Sequence, residues 1–267
     1  MIPVNLTTHR RKPASTFPAR PSTDGAVKIS VIIPAFNEEK LIAETLRRIQ
    51  AAHSAFAPLG WESETVVCDN NSTDRTAVLA RAEGAVVVFE PVNQIARARN
   101  TGAAAATGDW HVFVDADSHP SVELFADVAA EIQGGRCLGG GSTMQLDERR
   151  WLPDLIVRGW NLLSRANRWA AGSFVFCEAA AFRHLGGFSQ ELFASEEIEF
   201  SQRLKKLARQ RSKQMVILHR HPLVTSARKM HLYSNWEHLR FLGKTVLTAG
   251  GTLRARDTCT VWYDGRR

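Results

Sequence analysis

Four short apolar runs, three of them followed by a polar cluster, constrain this chain most. Ile29 to Ile33, Glu64 to Cys68, Ala85 to Phe89 and Trp110 to Val114 are rich in β-branched and aromatic residues. Their length and composition read as buried strands. Between them lie stretches with helical spacing. Ile42, Thr45, Leu46, Ile49 and Phe56 recur on one helical face, and Arg97 to Ala106 is alanine-rich. Strands alternating with helices predict an α/β fold with a mostly parallel central sheet and right-handed crossovers. In such sheets ligands bind beyond the carboxyl ends of the strands. The clusters Asn37-Glu38, Asp69-Asn70 and Asp115-Ala116-Asp117 follow three of these strands. Three distant stretches of sequence are therefore expected to converge on one sheet edge.

At 267 residues and 44% hydrophobic, the chain is long enough for one large domain or two fused halves. Residues 1–27 read as a flexible basic arm, with Arg10, Arg11, Lys12 and Arg20 among prolines. Residues 28–120 read as one half and 121–230 as a second. Residues 231–267 read as a C-terminal helix and tail. No run has the length of a signal peptide core or a membrane span. Cys68, Cys137, Cys177 and Cys259 lack the spacing of zinc or redox motifs and read as buried reduced thiols of a cytoplasmic protein. The net charge of +7 favours anionic partners. An anionic membrane surface fits among these, and a nucleic acid is not expected.

Local readings place further boundaries. Pro34 is expected to end the first strand, with Asn37 capping the next helix and Glu38 and Glu39 at its positive pole. Gly108 is expected to terminate the helix before the fourth strand. Later elements are strands at Cys137 to Gln145, Ser173 to Cys177 and Gln214 to Leu218. Helices are expected at Glu123 to Ile132, Ala179 to Leu185 and Ser195 to Ala208. Leu152, Leu155, Ile156, Trp160 and Leu163 form an apolar helical stripe, read first as core. Lining an acceptor cleft, or resting on a membrane, are the alternatives.

Several side chains could carry chemistry. Asp115 and Asp117 fall on one side if the chain stays extended. Two hard oxygen donors suit Mg²⁺ or Mn²⁺, with water and phosphate filling the remaining positions. A solvated turn is the ordinary alternative. Asp69 could accept a hydrogen bond from a base or ribose, or make an Asx-turn. Arg97, Arg99 and Asn100 open a helix where arginine forks could hold phosphate, or be solvated. Glu196, Glu197 and Glu199 complement a helix dipole and could supply a general base. His219 and His221, read as following a late strand, could complete a metal site. Arg228 and Lys229 could hold phosphate.

Assembled, these residues resemble the family 2 glycosyltransferases of the GT-A fold. The resemblance runs from about Lys28 to Met230. It rests on Val31-Ile32-Ile33-Pro34-Ala35-Phe36-Asn37-Glu38-Glu39, on Asp69-Asn70-Asn71-Ser72-Thr73-Asp74-Arg75-Thr76 and on Ala98-Arg99-Asn100-Thr101-Gly102. Val114-Asp115-Ala116-Asp117, Gly186-Gly187-Phe188, Glu196-Glu197-Ile198-Glu199-Phe200 and Val224-Thr225-Ser226-Ala227-Arg228 complete it. The resemblance implies a Rossmann-like half that binds a nucleotide-sugar donor, UDP-sugars first and GDP-sugars second, fused to an acceptor-binding half. Pro34, Ala35, Phe36, Asn37, Glu38 and Asp69 would hold base and ribose. Arg97, Arg99, Asn100 and Ala116 would join them around the donor. Asp115 would contact the ribose or a metal-bound water. Asp117 would ligate the Mn²⁺ or Mg²⁺ on the diphosphate, with His221 or His219 as a further ligand. Glu197 stands where the family usually has the Asp of a Glu-Asp pair, its catalytic base. The Glu196-Glu197 pair departs from that form and leaves the assignment between the two. The acceptor is a hydroxyl on a lipid-linked, polysaccharide or small-molecule partner.

Rival readings divide by motif. A dinucleotide oxidoreductase needs G-x-G-x-x-G where this chain has Pro34-Ala35-Phe36-Asn37-Glu38, and a P-loop NTPase needs a G-x-x-x-x-G-K-[ST] that is absent. A nucleotidyltransferase acting on a sugar phosphate and a nonenzymatic sugar-nucleotide-binding protein remain as alternatives.

Overall fold

The computed structural model describes residues 26–148 and 151–227. The N-terminal arm, Arg228, Lys229, Cys259 and the C-terminal helix and tail lie outside the described residues. β1 (Lys28–Ala35), β2 (Glu62–Asp69), β3 (Val86–Phe89) and β4 (Trp110–Val114) alternate with α1 (Ile42–Ala52), α2 (Thr76–Ala82) and α3 (Ile95–Ala105). β5 (Ser118–His119), α4 (Val122–Gln133), β6 (Cys137–Leu146), α5 (Trp151–Asn167) and β7 (Phe174–Glu178) follow. α6 (Ala179–Leu185), α7 (Glu196–Gln210) and β8 (Gln214–Thr225) complete the described order.

The described strands form one sheet in the order β3-β2-β1-β4-β7-β6-β8-β5. The first four are parallel, so their carboxyl ends share one edge. β7 runs antiparallel to both β4 and β6, while β6 and β8 run parallel. One sheet thus spans both halves of the sequence.

Alternation along β1 feeds two cores. Ile29, Val31 and Ile33 pack with α1 and α4, through Ile42, Leu46, Ile49, Leu124 and Phe125. Ile32 faces the opposite layer, with Phe113, Val175, Phe182, Phe188 and Phe200. All four β1 side chains are fully buried. Each contributes about 1.5–3 kcal/mol on that basis, which is why a strand this apolar sits mid-sheet.

Several boundaries differ from the sequence reading. β1 continues through Pro34, which pairs in register with Cys68. Its register with β4 ends at Ile32↔Phe113, and beyond that point β1 is effectively an edge, where a missing N–H is tolerated. Asn37 does not cap α1, whose N-cap is Leu41. Asn37 takes the left-handed conformation at φ 52° and its Oδ1 accepts from the Thr73 N–H at 2.8 Å. α3 ends at Ala105 without Gly108. Gly108 instead allows a close approach, since a Cβ there would lie 2.5 Å from Ser30 Oγ. β8 runs on to Thr225 because β6 and β5 pair with its second half, so His219 and His221 lie within the strand.

The expected α5 stripe is not core at Leu155, Ile156 and Leu163, while Trp160 is half-buried. Trp151, Leu155, Ile156, Leu162 and Leu163 are exposed. No helix among the described residues is long and apolar enough to cross a membrane. Cys68, Cys137 and Cys177 are buried free thiols. Burial pushes Cys68 and Cys137 up to about 12, so both stay protonated and inert at neutral pH.

Candidate active site

The chain turns where β4 ends. The Ser118 N–H donates to the Asp115 carbonyl at 3.1 Å, so Asp115 to Ser118 is a turn rather than an extended run. That turn is anchored from several sides. Thr45 Oγ1 of α1 donates to the Ala116 carbonyl at 2.8 Å. The Ser226 N–H donates to the Asp117 carbonyl at 3.0 Å, and the Asp115 N–H to the Ser173 carbonyl at 3.3 Å. Three distant segments hold its shape, and both carboxylates still reach one cleft.

The cleft has a volume of about 330 Å³. Asp115, Asp117, Arg99, Glu196 and Glu197 line it, with Trp160 of α5 on one wall. Asp115 and Asp117 come from the end of β4, Glu196 and Glu197 from the first turn of α7. Ser195, which precedes that turn, holds a left-handed φ of 62°. Non-glycine residues rarely adopt this conformation, and it concentrates at functional sites.

Arg99 organises the acidic wall. Its side chain is 1% exposed. Nη1 donates to Glu196 Oε1 at 2.5 Å, and Nη2 donates to Asp115 Oδ1 at 3.0 Å and to the Gly172 carbonyl at 2.7 Å. Its guanidinium also lies 5.3 Å from the centre of the Phe188 ring. Burial opposes its charge, but Asp115, Glu196 and Glu197 outweigh burial and raise its pKa. The fork expected to hold phosphate is thus already occupied by protein oxygens.

The two glutamates differ. Glu196 is buried and ion-paired with Arg99. Burial raises its pKa, against the pull of Arg99. Glu197 is half-buried in the cleft wall. Burial, then the Glu196 charge, push it up to about 8. A carboxyl group shifted toward neutrality is suited to proton transfer.

Other expected residues divide. Asp69 ends β2 and is 7% exposed; its Oδ1 accepts from the Ser72 N–H at 3.2 Å, a local turn contact. Pro34 and Ala35 close the neighbouring strand end, and the Asn70 N–H donates to the Ala35 carbonyl at 2.8 Å. Beyond them, Phe36 and Glu38 continue the loop, and the Glu38 N–H donates to Thr76 Oγ1 at 2.7 Å. Arg97 donates from Nε to Glu90 Oε1 at 3.0 Å and does not line the cleft. Asn100 clamps Phe188: its Nδ2 donates to the Phe188 carbonyl and its Oδ1 accepts from the Phe188 N–H, both at 2.9 Å. This amide is a brace rather than a free donor-binding group. His221 does not join Asp115 and Asp117; its Nδ1 lies 3.0 Å from Asp127 Oδ2 of α4. His219 lines a separate groove.

Trp160, which the sequence placed in an apolar stripe with an acceptor cleft among its alternatives, lines this cleft, whereas residues the sequence did not single out include Met144, Ser173 and Glu90. Glu90 accepts from the Val92 N–H, Thr101 Oγ1 and Arg97 Nε, and so ties the β3–α3 loop together. Nothing local in the sequence marks these positions, since each acquires its role from partners distant in the chain or on a neighbouring loop.

The donor chemistry for a cation can be judged from the same wall. No group of three His, Cys, Asp or Glu able to hold a metal occurs among the described residues. Asp115 and Asp117 supply two hard carboxylates, with one Asp115 oxygen shared with Arg99. That set fits Mg²⁺ or Mn²⁺ only where substrate phosphate and water complete the shell, as is usual for these ions.

Comparison with known proteins agrees with this architecture. The chain is 30% identical over 141 residues to an uncharacterised glycosyltransferase of Mycobacterium tuberculosis, covering 51% of this chain and 60% of that protein. It is 34% identical over 143 residues to an undecaprenyl-phosphate 4-deoxy-4-formamido-L-arabinose transferase of Pseudomonas aeruginosa, covering 48% and 40%. The chain thus spans about 60% or less of the length of these curated relatives. Among solved structures, a mannosyltransferase of Pyrobaculum calidifontis in complex with GDP-Man and Mn²⁺ superposes with a TM-score of 0.61 at 20% identity, covering 85% of this chain and 64% of that one. TarS of S. aureus gives 0.59 at 22%, covering 80% and 64%. These likenesses show a GT-A type fold. The model of glycosyl transferase family 2 matches residues 30–184, more than half of the chain, and the chain belongs to that family.

Proposed function

We propose that this protein transfers a sugar from a nucleoside-diphosphate sugar to an acceptor hydroxyl, with inversion at the anomeric carbon. One observation carries the reading: the cleft-lining carboxyl group of Glu197, pushed up to about 8, shares a cleft with Asp115 and Asp117. A proton acceptor and a pair of hard oxygen donors are what such a reaction needs from a protein. Family membership supports it. The family match stops before Glu196, so the base assignment rests on the cleft itself.

The donor's base and ribose would occupy the rim formed by Pro34 to Glu38 and Asp69, with the diphosphate directed toward Asp115, Ala116 and Asp117. Asp117, with Asp115, would hold Mn²⁺ or Mg²⁺, which when bound neutralises charge on the departing diphosphate. Glu197 accepts the proton of the acceptor hydroxyl as that oxygen attacks the anomeric carbon. The bond from that carbon to the diphosphate oxygen breaks from the opposite face, and its electron pair leaves on the diphosphate. Arg99 does not touch the donor; it fixes Asp115 and Glu196 and so sets where the reacting groups stand. Base assistance of this kind is worth about 10²–10⁴ in rate.

A UDP-sugar is the favoured donor. TarS has been solved with UDP-GlcNAc, and a glucosyl-3-phosphoglycerate synthase of Mycobacterium tuberculosis with Mn²⁺ and UDP. GDP-sugars come second, given the GDP-Man complex. A lipid-linked acceptor, met by a cytoplasmic protein at the membrane surface, is supported by the undecaprenyl-phosphate relative. A thermal-shift series of UDP- and GDP-sugars with and without Mn²⁺, followed by product analysis, tests the proposal. Metal-dependent stabilisation by one donor, with release of nucleoside diphosphate, is expected. Formation of a nucleoside triphosphate from a donor and added pyrophosphate would identify a nucleotidyltransferase, and no stabilisation by any donor would overturn the reading.

A further inference from the structure

Helix α5 leaves one side open. At about 100° per residue, Trp151, Leu155, Ile156, Leu162 and Leu163 fall within an arc of roughly 140°. All five are exposed, from 53% at Leu163 to 80% at Trp151. Gly159 and Ala166 fall in the same arc, so no charge interrupts it. A soluble protein seldom exposes so many large apolar side chains on one helical face without a partner for them.

The two borders of this arc decide the partner. Along one border stand Arg158 and Arg165, both exposed. Beyond them opens a groove of about 510 Å³, to which Arg165, Arg168, Arg136 and Arg220 contribute. None of these four makes an ion pair with another described residue. Of the two acids in the groove, Asp127 is engaged by His221, which leaves Glu131. Along the other border is Trp160, which lines the active cleft. An apolar strip thus runs between a field of arginines and the mouth of the cleft.

We propose that this surface docks on an anionic lipid bilayer. The apolar arc enters the boundary between headgroups and acyl chains, and the arginines meet lipid phosphates. A helix of this kind, apolar on one side and cationic at its border, is the physical form that lies in a membrane interface. A second copy of the chain is the poorer occupant, since pairing two such faces would bring arginine fields together. Docking leaves the cleft beside the bilayer, where a lipid-borne acceptor is confined. The binding itself does not depend on the transfer reaction.

Flotation of the full chain with vesicles tests it. Vesicles of phosphatidylcholine mixed with phosphatidylglycerol should carry the protein, those of phosphatidylcholine alone should not, and added salt should release it. R165Q and R168Q should each weaken binding about fivefold, the equivalent of ~1 kcal/mol per basic residue at an anionic surface. L155Q combined with I156Q should lower binding further and abolish the blue shift in tryptophan emission that wild type shows on vesicles. Trp151→Phe should lose most of that shift. Donor-induced thermal stabilisation should persist in each variant, which separates failure of docking from failure of the active site. Wild type that stays with the buffer on anionic vesicles overturns the proposal. So does a dimer in solution that L155Q/I156Q dissociates without changing vesicle binding.

Discussion

Arg99 donates to Glu196 at 2.5 Å inside the protein, and this fixed pair leaves Glu197, the next residue, in the wall of the cleft. Adjacent glutamates of the same helix turn therefore have different tasks. Glu197→Gln should lower transfer by about 10²–10⁴ while donor binding and thermal stability survive. Glu197→Asp, which restores the common Glu-Asp pair, should retain measurable transfer. Glu196→Gln should act on the fold, because it removes one of the two carboxylates, Glu196 and Asp115, that pair with the buried Arg99 guanidinium. With Asp115 still paired to Arg99, the loss should stay below about 3–5 kcal/mol, the cost of leaving a buried charge uncompensated. Chemical denaturation and steady-state kinetics on the same variants distinguish the two. Full transfer by Glu197→Gln would remove it from the mechanism.

The raised pKa of Glu197 sets a pH dependence. A base works only when deprotonated, and this group is pushed up to about 8 by burial and by the Glu196 charge. The donor kcat/KM, which reports the free enzyme, should rise about tenfold from one unit below that value to one unit above. The stability contribution has the opposite sense. A carboxyl with a folded-state pKa above its ordinary 4.5 binds its proton more tightly in the folded state. That stabilisation is fully present below 4.5 and is lost as pH rises through about 8. Wild type should therefore lose stability across this window more steeply than Glu197→Gln. A kinetic inflection between 4 and 5 would mean an unperturbed carboxylate carries the reaction.

Asp117 is 3% exposed, and its backbone carbonyl is tied to Ser226, so its side chain is presented by a fixed turn. Asp117→Asn should keep the fold and lose the extra thermal stabilisation that Mn²⁺ adds to a UDP-sugar. Chelation of divalent ions should do the same to wild type. Since a ligand at a hundred times its Kd stabilises by about 2.7 kcal/mol, the change is readable by thermal shift. Unchanged metal dependence in Asp117→Asn would place the cation elsewhere.

The first four strands were legible because a short apolar run, ended by a polar cluster in three of them, is a local pattern. Trp110 to Val114 matches β4 residue for residue. The carboxylates Asp115, Asp117, Glu196 and Glu197 were legible as types at strand and helix ends, and they do share a cleft. What was hidden is where side chains find partners. Arg99 meets Glu196 across 97 residues and Asn100 meets Phe188 across 88, and no local window contains either pair. An arginine and an amide at a helix start look alike whether they wait for phosphate or brace the protein. His221 was misplaced for a related reason. β8 extends past Leu218 only because β5 and β6 pair with it, and that pairing carries His221 to Asp127. The stripe on α5 showed its period but not what would cover it.

The Asn100 brace yields the sharpest contrast between a structural and a donor-binding role. Its amide satisfies both backbone polar groups of Phe188, a residue 1% exposed. Asn100→Ala leaves a buried N–H and a buried carbonyl without that partner, at about 1–3 kcal/mol each. Gly187 lies against the same amide: at φ +74°, an added Cβ would stand 2.5 Å from Asn100 Oδ1. Gly187→Ala should therefore also destabilise, by the roughly 1–2 kcal/mol of a left-handed non-glycine residue plus the steric contact. Because both changes act on one brace, the double variant should lose less stability than the sum of the singles. Denaturation midpoints measure this directly, and the folded fraction of each variant should bind donor as wild type does. If Asn100→Ala instead weakens donor binding with stability intact, the amide belongs to the donor site and not to the frame behind it.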